Sequence, residues 1–201
     1  MTKRILAVEG NDDKHVVLQI CEKHKIEETF EIKDFNGVDS IIGGLQILLK
    51  TYDSLAIIVD ADMDPKSRWD SIRNRAYDYG FSLPENPVEG GFCAENDEGK
   101  KFGVWLMPNN TIPGMLEDFL KDLVPPQDET LPLVRKFIED MPYVNGRFAD
   151  KHKSKALIRT YLAVQEEPGL PFGTAIKAKY FNSDGPEIIK LSDWSRCVLV
   201  S

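Results

Sequence analysis

The chain has 201 residues, of which 42% are hydrophobic and 29% charged, and its 33 acidic against 25 basic residues give a formal net charge of −8. This composition is that of one globular domain and excludes a disordered chain, and no apolar run approaches the roughly 20 residues of a membrane-spanning helix. The acidity argues against binding nucleic acid by bulk positive charge, while three widely spaced cysteines argue against a disulfide scaffold or a cysteine zinc site and favour a cytoplasmic protein.

Strands and helices are predicted to alternate over the first 80 residues. Short apolar or alternating runs predict the strands, and apolar residues at helical spacing predict a helix after each strand. The predicted strands cover 5–8, 30–35 and 55–59. Asp64 and Pro65 begin the third helix, because Asp is a good N-cap and Pro is tolerated in the first turn. This order predicts an α/β fold with a Rossmann-like, three-layer parallel sheet.

The rest of the chain is predicted to be more helical. Two short strands around 92–94 and 102–107 flank a turn, and three helices follow at about 114–123, 129–141 and 152–165. We expect a single domain over 1–201, with a core at about 1–110 and a helical part at about 111–201.

Acidic residues follow two of the predicted strands. Glu9 ends the first strand and Asp13 falls in the next helix, while Asp60 and Asp62 end the third strand. Ligands of parallel α/β sheets bind beyond these strand ends, and residues two apart in an extended chain point the same way. Clustered carboxylates repel one another, and Mg²⁺ or Mn²⁺, which prefer oxygen ligands, would relieve that repulsion.

Each acidic motif also has a simpler interpretation. The Asp60-x-Asp62-x-Asp64 run could be a polar turn with a helix cap, and Glu9-Gly10 could be ordinary loop sequence. Other functional motifs are absent from the sequence: a dinucleotide fingerprint, a phosphate-binding P-loop, metal-ligand spacing of histidines and a nucleophile elbow.

An apolar strand ending in Glu9-Gly10 and a later strand ending in Asp60-x-Asp62 resemble the Toprim domain, which topoisomerases, bacterial-type primases and some nucleases share. The acid at Asp13 makes the resemblance closest to the OLD (overcoming lysogenization defect) nucleases. Further stretches resemble a small stand-alone Toprim family of unknown function; they are 113–118, 153–156, 168–169 and Trp194. The resemblance is specific over 4–64 and looser over 105–195.

The resemblance implies metal-assisted phosphoryl transfer with two cations. It assigns Glu9 and Asp13 to one metal and Asp60 and Asp62 to the other, with Glu9 also a general acid or base. Asp64 and Glu117 are additional candidate ligands, although each also suits a helix N-terminus. No ATPase, topoisomerase tyrosine or primase zinc domain accompanies the motifs, so nicking–closing and primer synthesis are not expected.

A phosphodiester site also needs positive charge. The candidate cluster contains Arg147, Lys151, His152, Lys153, Lys155 and Arg159. Lys155 matches a lysine of the resembling family and is the candidate catalytic cation, although a solvated helix face would look the same. Lys66 and Arg68 add positive charge just after the Asp-x-Asp motif.

The leading hypothesis is a Mg²⁺- or Mn²⁺-dependent nuclease that binds nucleic acid weakly without metal. A second hypothesis is a non-catalytic or partner-dependent metal- and nucleic-acid-binding module that works with a separately encoded ATPase. A third is a nucleotide-sugar transferase, which would leave Glu9-Gly10 without a role. A membrane association is not expected, and the sequence leaves a homo-oligomer open.

Overall fold

The protein is described from a computed structural model, which covers residues 2–27, 29–141 and 148–200. Its strands are β1 Arg4–Val8, β2 Glu31–Asp34, β3 Ser54–Asp60, β4 Phe92–Glu95 and β5 Lys101–Met107. Its helices are α1 Asn11–Lys23, α2 Val38–Thr51, α3 Pro65–Tyr77, α4 Leu116–Asp122, α5 Thr130–Asp140, α6 Lys153–Ala163, α7 Phe172–Lys177 and α8 Pro186–Leu199. A 3₁₀ turn at Asp150–His152 precedes α6.

The five strands form one sheet in the order β2-β1-β3-β5-β4. The pairs β1–β2, β1–β3 and β3–β5 are parallel, whereas β4 pairs with β5 antiparallel at the edge. The predicted Rossmann-like α/β fold is therefore confirmed, with one antiparallel edge strand added. The chain runs outward from β1 to β2 and then returns past β1 to β3, so the strand order reverses between β1 and β3.

Both faces of the sheet are buried, which explains the nearly continuous apolar runs of β1 and β3. Successive side chains of a strand alternate between the faces. Leu6 and Val8 therefore join a core with α1 and the C-terminal helices, while Ile5 and Ala7 join a second core with α2 and α3.

Helices from the C-terminal half cover the α1 face of the sheet. The core on this face contains side chains from α4, α6, α7 and α8 together with those of α1. Helix α7 packs closely against α1 at Gly173. A Cβ placed on this glycine would lie 2.7 Å from the backbone oxygen of His15, so a larger residue would not fit there. In the described part of the chain, no helix combines the length and apolarity needed to cross a membrane.

A disulfide joins Cys93 on β4 to Cys197 on α8, with 6.6 Å between their Cα atoms. The cysteine spacing argued against a disulfide scaffold and did not indicate this single disulfide. The two cysteines are 104 residues apart, so only the packing of α8 against the edge hairpin brings them together. Cys21 is buried in the core on the α1 face.

Reducing this disulfide is expected to lower the free energy of unfolding by about 2–4 kcal/mol, because a cross-link over a long loop restricts the unfolded chain. The measurement is denaturant unfolding with and without a thiol reductant. The Cys197→Ser variant should unfold like the reduced protein in both conditions. Equal stability of the oxidised and reduced wild type would contradict the prediction.

Candidate functional site

The site begins where β1 and β3 end side by side. Val8 pairs with Ile58, so the chain leaving β1 passes next to the last residues of β3. Glu9 Oε1 accepts a hydrogen bond of 2.7 Å from the backbone N–H of Asp60. Because the strand order reverses between these two strands, they border the crevice in which α/β folds bind ligands.

Two further carboxylates come from helix N-termini. Asp13 lies in the first turn of α1 and is 8% exposed, and Glu117 lies in the first turn of α4 and is 5% exposed. The backbone N–H of Leu116 donates to Asp60 Oδ1 at 3.0 Å, which fixes the start of α4 beside the end of β3. Glu9, Asp13, Asp60 and Glu117 are called the carboxylate cluster below.

The position after Glu9 is occupied by Gly10, and the space around it explains why a glycine stands there. A Cβ placed on Gly10 would lie 3.2 Å from Asp13 Oδ2, which is tighter than an ordinary contact. The absent side chain leaves room for the Asp13 carboxylate in the first turn of α1. The Glu-Gly pair therefore supplies one carboxylate and space for another.

Burial and mutual repulsion raise the pKa values of this cluster. Burial, followed by the charges of Glu9 and Glu117, raises the pKa of Asp13 to about 7 from its ordinary 3.8. Burial and the charges of Glu9, Asp13 and Glu117 raise the pKa of Asp60 well above its ordinary value. Burial also raises the pKa of Glu9, although the hydrogen bond from Asp60 opposes the change. Negative charge in the cluster is thus poorly compensated by the protein itself.

The donor set fits a hard divalent cation such as Mg²⁺ or Mn²⁺, since all four side chains offer carboxylate oxygens. Within the described ranges, however, no group of three His, Cys, Asp or Glu side chains is arranged to hold a metal ion as it stands. The carboxylates of Glu9 and Asp60 each accept one backbone N–H, through Glu9 Oε1 and Asp60 Oδ1. The second oxygen of each of these carboxylates is not used by these two hydrogen bonds, so it can serve as a ligand for a cation.

Asp62 and Asp64 have other partners. Asp62 has a φ of +54° and exchanges two backbone hydrogen bonds with Gly114, so the chain there is not extended as predicted. Its carboxylate pairs with Arg68 Nη2 at 2.5 Å. Asp64 caps α3 by accepting the Ser67 N–H at 2.9 Å, which confirms the predicted N-cap.

The predicted basic residues differ in the acidic side chains with which they form ion pairs. Lys155 Nζ lies 3.7 Å from Glu117 Oε1 and so forms an ion pair with one member of the carboxylate cluster. Arg159 pairs with Asp12 and lies over the ring of Phe172, 4.2 Å from its centroid. The other ion pairs join Lys66 to Asp70 and Lys153 to Asp150. Lys151 and His152 are exposed in the 3₁₀ turn before α6, and Arg147 lies outside the described residues.

A groove of about 650 Å³ lies next to the cluster. Asp62 and Met115 line it. In the chain, Asp62 is two residues from Asp60, and Met115 is two residues from Glu117. Arg68 and Lys151 also line it, from α3 and from the turn before α6. Two of the predicted nucleic-acid-binding residues therefore share one groove.

The sequence reasoning missed Asp118 and Ser154, which join the start of α4 to the start of α6. Asp118 Oδ1 accepts from Ser154 Oγ at 2.6 Å, and Asp118 Oδ2 accepts from the Met115 N–H at 3.1 Å. Each residue is the direct neighbour of a candidate, Glu117 or Lys155. Both residues lie in stretches that resemble the family, 113–118 and 153–156. Their contact joins residues 36 apart, however, and no local sequence pattern indicates it.

Comparison with known proteins gives one family and one structural likeness. No curated protein matches the chain. Among solved structures, the chain is similar to the C-terminal region of the Xanthomonas campestris pv. campestris OLD protein, at 14% identity over 97% of this chain and 92% of that one. The TM-score is 0.44, a value that does not establish a shared fold.

The family model described as "Protein of unknown function (DUF3226)" matches residues 3–198. The match includes β1 through α8 and thus every residue of the carboxylate cluster. It confirms the expected membership of a family of unknown function, while the Toprim assignment stays a prediction. The chain belongs to the DUF3226 family.

Proposed function

We propose that this protein is a Mg²⁺- or Mn²⁺-dependent nuclease of the Toprim type that hydrolyses phosphodiester bonds of nucleic acid. The observation that carries the proposal is the carboxylate cluster at the reversal point of the sheet, where burial and repulsion raise the pKa values of three carboxyl groups. Such a cluster opposes folding unless a ligand compensates its charge, and clusters of this kind mark functional sites.

The four cluster residues would hold the cation, and the cation would supply Lewis-acid activation of the phosphate and of the attacking water. Asp13 and Glu117 are the most buried of the four, so they define the inner side of the site. Glu9 and Asp60 lie at the ends of β1 and β3, so the cation would lie between these strand ends and the first turns of α1 and α4.

Two side chains of this protein suit the remaining steps. Glu9, whose pKa is raised by burial, can accept a proton from water or return one to the leaving oxygen. Lys155 is 54% exposed and lies beside Glu117, so its ammonium group can turn from that carboxylate to the negative charge that develops on the phosphate.

The nucleic acid would run along the groove and the exposed face of α6. Arg68 and Lys151 border the groove, while Lys153 and Arg159 continue the positive charge along α6 and Lys66 adds charge from α3. Contacts of this kind are made to the phosphate backbone, and they give binding that weakens as salt increases.

The direct test is incubation of the purified protein with single- and double-stranded DNA and RNA in Mg²⁺, in Mn²⁺ and in EDTA. We expect cleavage that requires a divalent cation. Calorimetry on the same preparation distinguishes the second hypothesis, because a partner-dependent module would bind Mn²⁺ and nucleic acid without cleaving either polymer. Cleavage that persists in EDTA, or the absence of Mn²⁺ binding, would contradict the proposed function.

A further inference from the structure

We propose that the guanidinium of Arg68 takes the place of a second metal ion by pairing with Asp62, the second acid of the Asp-x-Asp motif. The site then binds one divalent ion where the sequence predicts two. This inference rests on the proposed function. In it, the carboxylate cluster binds the divalent ion, and Asp62 serves as the partner of the Arg68 guanidinium and not as a metal ligand.

Arg68 contacts both acidic positions of the motif. Its Nη2 donates to the carboxylate of Asp62, and its Nε donates to the backbone oxygen of Asp60 at 3.2 Å. The side chain of Arg68 is only 18% exposed, whereas that of Asp62 is 53% exposed. The guanidinium therefore lies inward of the carboxylate that it neutralises, on the side toward β3.

The backbone holds Asp62 in this arrangement. The N–H of Asp62 donates to the oxygen of Gly114 at 2.9 Å, and the N–H of Gly114 donates to the oxygen of Asp62 at 2.8 Å. This bridge takes the chain out of the extended form immediately after Asp60 ends β3. Asp60 turns to the cluster and Asp62 to Arg68, so the two acids of the motif have different partners.

A second divalent ion bound by Asp62 would lie beside the positive charge of Arg68 and would be repelled by it. It would compete with a guanidinium that has two contacts and whose stem is fixed by the first turns of α3. Displacement would leave a largely buried guanidinium without an acidic partner, which is costly. The positive charge of Arg68 already compensates the negative charge of Asp62, and it does so without a metal ion.

The experiment is titration of the metal-free protein with Mn²⁺, with bound ions counted by the loss of the free-ion paramagnetic resonance signal. We expect one ion per wild-type chain and two per Arg68→Gln chain, because removal of the guanidinium frees Asp62. Arg68→Lys, which retains a positive charge, should still bind one ion. Arg73→Gln is the matched control, since it removes a guanidinium from the same helix that pairs with Asp70, and it should bind one.

A second pair of variants tests the inference without changing Arg68. Asp62→Asn should bind one ion with a Kd within about threefold of wild type, while Asp60→Asn should lose binding by more than about 100-fold. Two ions on the wild-type chain, or a tenfold weaker Kd in Asp62→Asn, would overturn the inference and leave the proposed function standing. Failure of the wild type to bind any Mn²⁺ would overturn both.

Discussion

Replacing Glu9 with Gln or Asp60 with Asn is expected to reduce metal-dependent cleavage by more than about 100-fold. The loss of an outer partner of a metal site already costs about 10–100-fold, and these residues would contact the cation directly. Both substitutions keep the oxygen that accepts the backbone N–H of Asp60 or of Leu116. The fold should therefore be retained while one negative charge is lost.

The assay is the rate of cleavage at saturating Mn²⁺, measured together with the Mn²⁺ affinity of each variant. Glu98→Gln is the matched control, because it removes the same charge from an exposed turn between β4 and β5. The control should cleave at the wild-type rate. Cleavage by Glu9→Gln or Asp60→Asn at the rate of this control would show that the activity arises elsewhere or from a contaminant.

Asp13→Asn is expected to stabilise the metal-free protein at pH 8 while it weakens cation binding. The pKa of Asp13 in the folded protein is about 7, against an ordinary value of 3.8. Ionisation of this buried side chain therefore opposes folding by an amount on the order of 4 kcal/mol at pH 8. Asparagine keeps the shape of the side chain and removes the charge. Denaturant unfolding in EDTA measures the gain.

The raised pKa of Asp13 also determines whether the stability of the protein rises or falls with pH. Because the folded-state pKa is raised, the contribution of Asp13 to stability is complete below pH 3.8 and is lost as the pH rises through about 7. Without divalent cations, the wild type should lose stability relative to Asp13→Asn between pH 5 and pH 8. Asp12→Asn, at an adjacent residue whose ion pair with Arg159 is partly exposed, should follow the wild type. An unchanged difference between wild type and Asp13→Asn over this range would contradict the assigned pKa.

Local patterns were sufficient to predict the half of the fold that carries the strand-end acids. The apolar runs of β1 and β3 are buried on both faces, so their ends were recognisable, and with them the positions of Glu9 and Asp60. The N-cap at Asp64 was equally accessible, because capping depends on residues only three apart.

Features set by distant contacts were not predictable in the same way. The turn at Asp62 depends on a bridge to Gly114, and the disulfide depends on packing between segments 104 residues apart. Glu117 could be named as a candidate only through resemblance, because nothing in its local sequence indicates that the Leu116 N–H bonds to Asp60. The division of Asp60 and Asp62 between different partners follows from these distant contacts.

The hydrogen bond from Leu116 to Asp60 has a consequence for how the protein folds as a unit. It spans 56 residues and joins the start of α4 to the end of β3, so the carboxylate cluster is complete only when both halves of the chain are in place. A ligand that binds the complete cluster and not the unfolded chain adds about 2.7 kcal/mol to stability at 100 times its Kd. Occupancy of the site and folding of the whole chain are therefore thermodynamically linked, and a fragment that ends before α4 would lack both Glu117 and that linkage.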